Sequence, residues 1–214
     1  MNRTITYLGL MIFSIGCTDP SDTNDANPAL PFTPFSFSDT EPDPTIPLCH
    51  QAADPDGATD KIFIDCPLEG ESFIGDMPTS PETLTVVAYN LERGFQLEEQ
   101  LGILSGDGPI PRPDILLVSE ADRGCARTNY RHITRELAHG LGMSYLYAVE
   151  FVELVRHDDG TRTTECEHGN AILSRFPLGN VDLIRHSEQV SWFDADESRL
   201  GGRVAVKADV LVGN

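Results

Sequence analysis

Apolar positions along this chain fall into two patterns. Leu84–Tyr89 and Ile115–Val118 are nearly continuous runs, which predicts strands buried on both faces. Phe95–Leu104 instead spaces Leu97, Leu101 and Leu104 as a helix would. A second helix is expected behind Thr128 as its N-cap, with Tyr130, Ile133, Leu137 and Leu141 on its apolar face and Gly140 and Gly142 at its end. Ser144–Leu154 reads as a strand and His157-Asp-Asp-Gly160 as the turn after it. Ala171–Leu173, Val181–Ile184 and Arg203–Val212 complete the set. In the last of these, Val204, Val206, Ala208, Val210 and Val212 share one face, opposite Lys207 and Asp209. Two strand–helix units followed by a run of strands predict a mixed α/β sheet layered with helices.

The segment ahead of this pattern is different. Residues 1–17 read as an export signal. Arg3 is the basic n-region, Ile5–Ile15 is an apolar stretch too short to span a bilayer, and Ser14-Ile15-Gly16-Cys17 has the form of a lipobox. Acylation of Cys17 would anchor the chain at a bacterial membrane, and each buried methylene adds about 0.8 kcal/mol. Residues 18–47 hold seven prolines and no basic residue, the composition of a tether. Phe32, Phe35 and Phe37 are the apolar exceptions within it. Residues 48–80 are transitional, with Lys61–Asp65 as a short strand and Asp54, Asp56 and Asp60 as a solvated acidic turn. The boundaries are therefore 1–17, 18–80 and 81–214.

Charge and cysteines narrow the class. The net charge is −19, and of the 15 basic residues only Lys61 and Lys207 are lysines. So acidic a surface lacks the basic footprint of a protein that binds along a nucleic-acid backbone. Arginine, however, is the better bidentate partner for phosphate oxygens. With Cys17 set aside, Cys49, Cys66, Cys125 and Cys166 form an even set in an exported chain, which predicts two disulfides in one of three pairings. Closeness along the chain favours Cys49–Cys66.

Candidate chemistry sits at the strand ends. Asn90 closes the first buried run and Glu120 the second, so both should reach one edge of the sheet, where α/β sites lie. Glutamate is a hard oxygen ligand suited to Mg2+ or Mn2+. Asparagine can orient a water or a phosphate oxygen without adding charge. His132 and His139 are expected on the helix surface, and His157 and His186 in a loop and at a strand end.

These pieces resemble a known family. Tyr89-Asn90-Leu-Glu, Ser119-Glu120, Gly169-Asn170-Ala-Ile-Leu-Ser-Arg-Phe-Pro177 and Glu197-Ser-Arg-Leu-Gly-Gly-Arg203 fall in the order of motifs in the endonuclease/exonuclease/phosphatase superfamily of metal-dependent phosphoesterases. The resemblance covers residues 83–212, and Ser119 stands where that family usually has Gln. It implies an α/β sandwich of mixed sheets and hydrolysis of a phosphodiester or phosphomonoester. Glu120 would be the metal ligand, Asn90 would lie in the metal–phosphate site, and His168 and Asn170 would line the pocket. Substrates would be a small phosphoester, a lipid headgroup or DNA. It also places Cys125 and Cys166 at the same sheet edge, favouring Cys125–Cys166. Arg199 and Arg203 are read as structural ion-pair partners ahead of phosphate ligands. The family's later D-x-N and S-D-H motifs do not occur in 81–214, so the C-terminal half of the fold and of the site is expected to be missing, and the 214-residue chain to be inactive or incomplete as a hydrolase. The face of Arg203–Val212 should then lie bare. The alternative is a non-catalytic surface lipoprotein or binding module that keeps half of the fold.

Overall fold

The computed structural model describes residues 31–49, 54–62, 64–76, 79 and 81–212. Cys17 and the export signal lie outside these residues. The strands are β1 (Glu69–Ser72), β2 (Val86–Arg93), β3 (Ile115–Arg123), β4 (Ser144–Arg156), β5 (Arg162–Ser174), β6 (Leu178–Arg185), β7 (Arg199–Gly201) and β8 (Val204–Val210). The helices are α1 (Leu97–Leu104) and α2 (Ile133–Leu141). Six strands form one mixed sheet in the order β1-β4-β5-β3-β2, with β7 also on β4. Only β2 and β3 run parallel, joined through α1, and the remaining pairs are antiparallel. β6 and β8 make a separate two-stranded sheet. No helix among the described residues is long and apolar enough to cross a membrane.

Burial explains the layers. Leu97 and Leu104 of α1, and Ile133, Leu137 and Leu141 of α2, pack on Leu116, Val118, Tyr145, Tyr147, Ala171 and Leu173. Alternation along the strands sends Leu117, Leu146 and Ile172 to the opposite face, where Val206, Ala208 and Val210 of β8 cover them together with Phe35 and Phe37. The expected bare face of β8 is therefore packed, because β6 and β8 pair and fold back over β3, β4 and β5. Exposed apolar side chains are scattered instead, among them Leu84, Val86 and Phe95 around β2, Ile184 on β6, Val190 in the loop after it and Leu211 just past β8. β2 is an edge strand whose exposure alternates, not a strand buried on both faces.

The described part of the proline-rich segment lies along the domain. The Phe35 amide donates to Leu178 O at 2.8 Å, and the rings of Phe35 and Phe37 meet edge to face. Further along, Arg123 donates to the carbonyl oxygens of Asp43 and Ile46, and the Glu167 carboxylate accepts from the amides of Leu48 and Cys49. Two disulfides are present, Cys49–Cys66 and Cys125–Cys166, as befits a chain exported to an oxidising compartment.

Several local expectations are corrected. The second helix starts at Ile133, with His132 as its cap, and Tyr130 is exposed ahead of it. His132 is buried, not on the surface, and bonds to Glu69. The described residues of Lys61–Asp65 form no strand. Lys61 instead donates to the carbonyls of Pro55 and Asp56 and lies over the Phe193 ring. β1 was not expected from its sequence, Glu-Gly-Glu-Ser.

Candidate functional site

The site is built where the ladders break step. β2 carries an extra residue between Asn90 and Arg93, β3 between Val118 and Ala121, and β4 between Val149 and Phe151. These bulges lie at one level of the sheet, with β5 running between β3 and β4. Bulges re-aim side chains and gather near active sites. Glu92, Arg93 and Glu120 take positive φ values of 48°, 69° and 57° to make them, a conformation costly for residues with a Cβ.

All four candidate residues fall in this row. Asn90 pairs with Ser119, and Ser119 and Glu120 together lie opposite Asn170. Two residues from Asn170, His168 pairs with Asp122 on one side and Phe151 on the other. Gly169 between them admits no side chain, because a Cβ would lie 2.1 Å from Ala148 O.

Each residue has a distinct environment. Asn90 is exposed, and its Oδ1 accepts from the Glu92 amide at 2.8 Å, which shapes the bulge. Glu120 is half-buried and makes no hydrogen bond or ion pair among the described residues. Asn170 is buried and donates through Nδ2 to Val204 O, tying the two sheets together. His168 is buried, with Nδ1 2.8 Å from Asp122 Oδ1.

A chain of paired charges extends from that dyad. Asp122, fully buried, also takes both Nε and Nη2 of Arg127. Arg127 reaches Glu153, Glu153 takes Arg199, Arg199 reaches Glu197, and Glu197 takes Arg93. Beside it Arg203 pairs with Glu150 at 3.0 Å. Arg199 and Arg203 thus stand in ion pairs, as read from the sequence. Burial pushes the Asp122 carboxyl up, but hydrogen bonds from Arg127 and His168 outweigh it and hold it below the usual carboxylate range. At Glu150 burial wins over Arg203, and the carboxyl is raised.

Among known proteins there is no match: no family model, no curated protein and no solved structure resembles this chain. The donor set must speak for itself. Among the described residues, no group of three or more His, Cys, Asp or Glu is placed to hold a metal ion. Asp122, Glu150 and Glu153 are taken up by arginine or histidine, which leaves Glu120 as the half-buried carboxylate of the row, beside the Asn90 amide oxygen and the exposed Glu92. One carboxylate and one amide suit Mg2+, which keeps several waters and takes further oxygens from substrate phosphate. The paired acids escaped sequence reasoning because their partners are remote along the chain. Only Asp122, two residues past Glu120, carried a local signal.

Proposed function

We propose that this domain is a metal-dependent phosphoester hydrolase of the endonuclease/exonuclease/phosphatase type, on a chain exported and anchored through Cys17. The observation that supports this best is Glu120: a half-buried carboxylate without a partner among the described residues, held at positive φ in a bulge beside Asn90, where the buried Asp122 and Glu153 are paired. Glu120 and the Asn90 amide oxygen would hold Mg2+ or Mn2+, which when bound supplies a Lewis acid and a water of lowered pKa. Asn90 orients the phosphate or the water. Asp122 fixes the His168 ring through Nδ1, and Nε2 makes no hydrogen bond among the described residues, so it can hold or pass a proton. Asn170 would line the substrate site, and its bond to Val204 O braces the two sheets there. The net charge of −19 favours small or lipid-linked phosphoesters over DNA.

Glu120→Gln on the full chain tests this reading. Mn2+-dependent hydrolysis of bis(p-nitrophenyl) phosphate should fall at least about 100-fold, since weakening even the shell around a metal ligand costs 10- to 100-fold. Undiminished turnover would remove Glu120 from the mechanism. The second reading, a non-catalytic binding module, draws on the complete pairing of Asp122, Glu153 and Glu150, and it predicts no hydrolysis by either protein.

A further inference from the structure

Glu197 stands in an unusual position for an exposed acid. Its side chain is 61% exposed, on the loop between β6 and β7, yet it bridges two guanidinium groups. Both of its oxygens lie within 3.3 Å of Arg93 Nη2, and Oε2 also meets Arg199 Nη2. Arg93 belongs to the β2 bulge, three residues past Asn90, and pairs with Ala121, the residue after Glu120. Arg199 is buried, and its Nε is fixed by Glu153. Two arginines from different strands therefore converge beside the candidate metal ligand, and an exposed carboxylate occupies the space between them.

We propose that Arg93 and Arg199 form an anion subsite for the phosphate of a phosphodiester, and that Glu197 fills it in the substrate-free protein as a displaceable stand-in. This rests on the hydrolase reading and sharpens it, because it selects the substrate class. Charge matching makes the selection. Along the chain, Arg93, Arg127 and Arg199 balance Asp122, Glu153 and Glu197. Withdrawal of Glu197 uncovers one net positive charge. A phosphodiester carries one negative charge and replaces the carboxylate like for like, whereas a monoester dianion would bring an extra one. Arginine's fork of donors suits two non-bridging oxygens. Glu197 is also the most exposed member of the chain, and an ion pair open to solvent is the least costly to exchange. Arg199 keeps Glu153 when Glu197 leaves, so its guanidinium stays oriented.

Trp192, the only tryptophan, reports on this loop, because the Arg199 amide donates to its carbonyl oxygen. Titration of the full chain with dimethyl phosphate, in chelator and at low ionic strength, is followed by Trp192 fluorescence, with inorganic phosphate as the comparison. Glu197→Gln should tighten dimethyl phosphate binding several-fold, and Arg93→Gln should weaken it at least several-fold. Wild-type protein should prefer dimethyl phosphate to inorganic phosphate at pH 8. Arg93 is used because it is partly exposed, whereas Arg199 is buried and also holds Glu153. Unchanged affinity in either variant, or tighter binding of inorganic phosphate, overturns the proposal. The metal-free titration separates this subsite from the hydrolase reading. If Glu120→Gln hydrolyses normally while Glu197 and Arg93 still control diester binding, the metal role of Glu120 falls and the subsite stands.

Discussion

Glu120 carries two costs at once. It holds φ at 57°, where a Cβ is crowded, and it keeps a half-buried carboxylate without a partner among the described residues. Glycine at this position would remove both. Glu120→Gly is therefore expected to raise stability by about 1 kcal/mol, the scale of strain in a left-handed residue, while abolishing metal-dependent turnover. Thermal unfolding read by circular dichroism checks it. A fall in the melting temperature would mean that the carboxylate has a structural partner after all. Asp122 shows the contrast: equally close to the site, it is fully buried and satisfied by Arg127 and His168.

At the scale of elements, the N-terminal arm is held by one residue more than any other. Arg123 pairs with Glu69 and Glu167 and donates to the carbonyls of Asp43 and Ile46, while Glu167 grips the amides of Leu48 and Cys49. Arg123→Ala would leave the buried Glu167 carboxylate without its ion-pair partner, at a cost of about 3–5 kcal/mol. Hydrogen exchange should show the amides of Leu48 and Cys49 losing protection well before those of β4 and β5. Equal loss everywhere would make the arm part of the core's cooperative unit. This arm also marks where the sequence stops being legible. β3, α1 and α2 announced themselves by apolar spacing, and the level of Asn90 and Glu120 followed from the ends of two apolar runs. β1 did not, since a strand reading Glu-Gly-Glu-Ser forms only because β4 offers an edge and Arg123, His132 and Arg135 hold its two glutamates. The charge chain was equally hidden. Arg93 and Glu197 are 104 residues apart, and nothing local to either names the other.

For the whole molecule, the same buried charges give stability opposing pH dependences. Asp122 and Glu69 have depressed carboxyls, so their contributions are present above the usual carboxylate range and fade as pH falls through it. His132, held neutral by burial, likewise favours folding less as the unfolded ring begins to protonate. Glu150 acts in the other direction. Its raised carboxyl binds a proton more readily in the folded protein, so it weakens folding as pH rises from 4.5 through the raised value. Glu150→Gln should therefore gain on wild type over that window, in urea unfolding at successive pH values. A difference independent of pH would show that Glu150 titrates alike in both states. The bulges, finally, have a mechanical consequence. A one-residue slip is the ordinary failure of a sheet, because it turns every side chain to the wrong face. Here β2, β3 and β4 each have their surplus residue at one level, so no strand can slide without setting its irregularity against a neighbour's regular ladder. The row works like the notches of a key, and the height of Asn90 and Glu120 in the sheet is fixed before any ligand arrives.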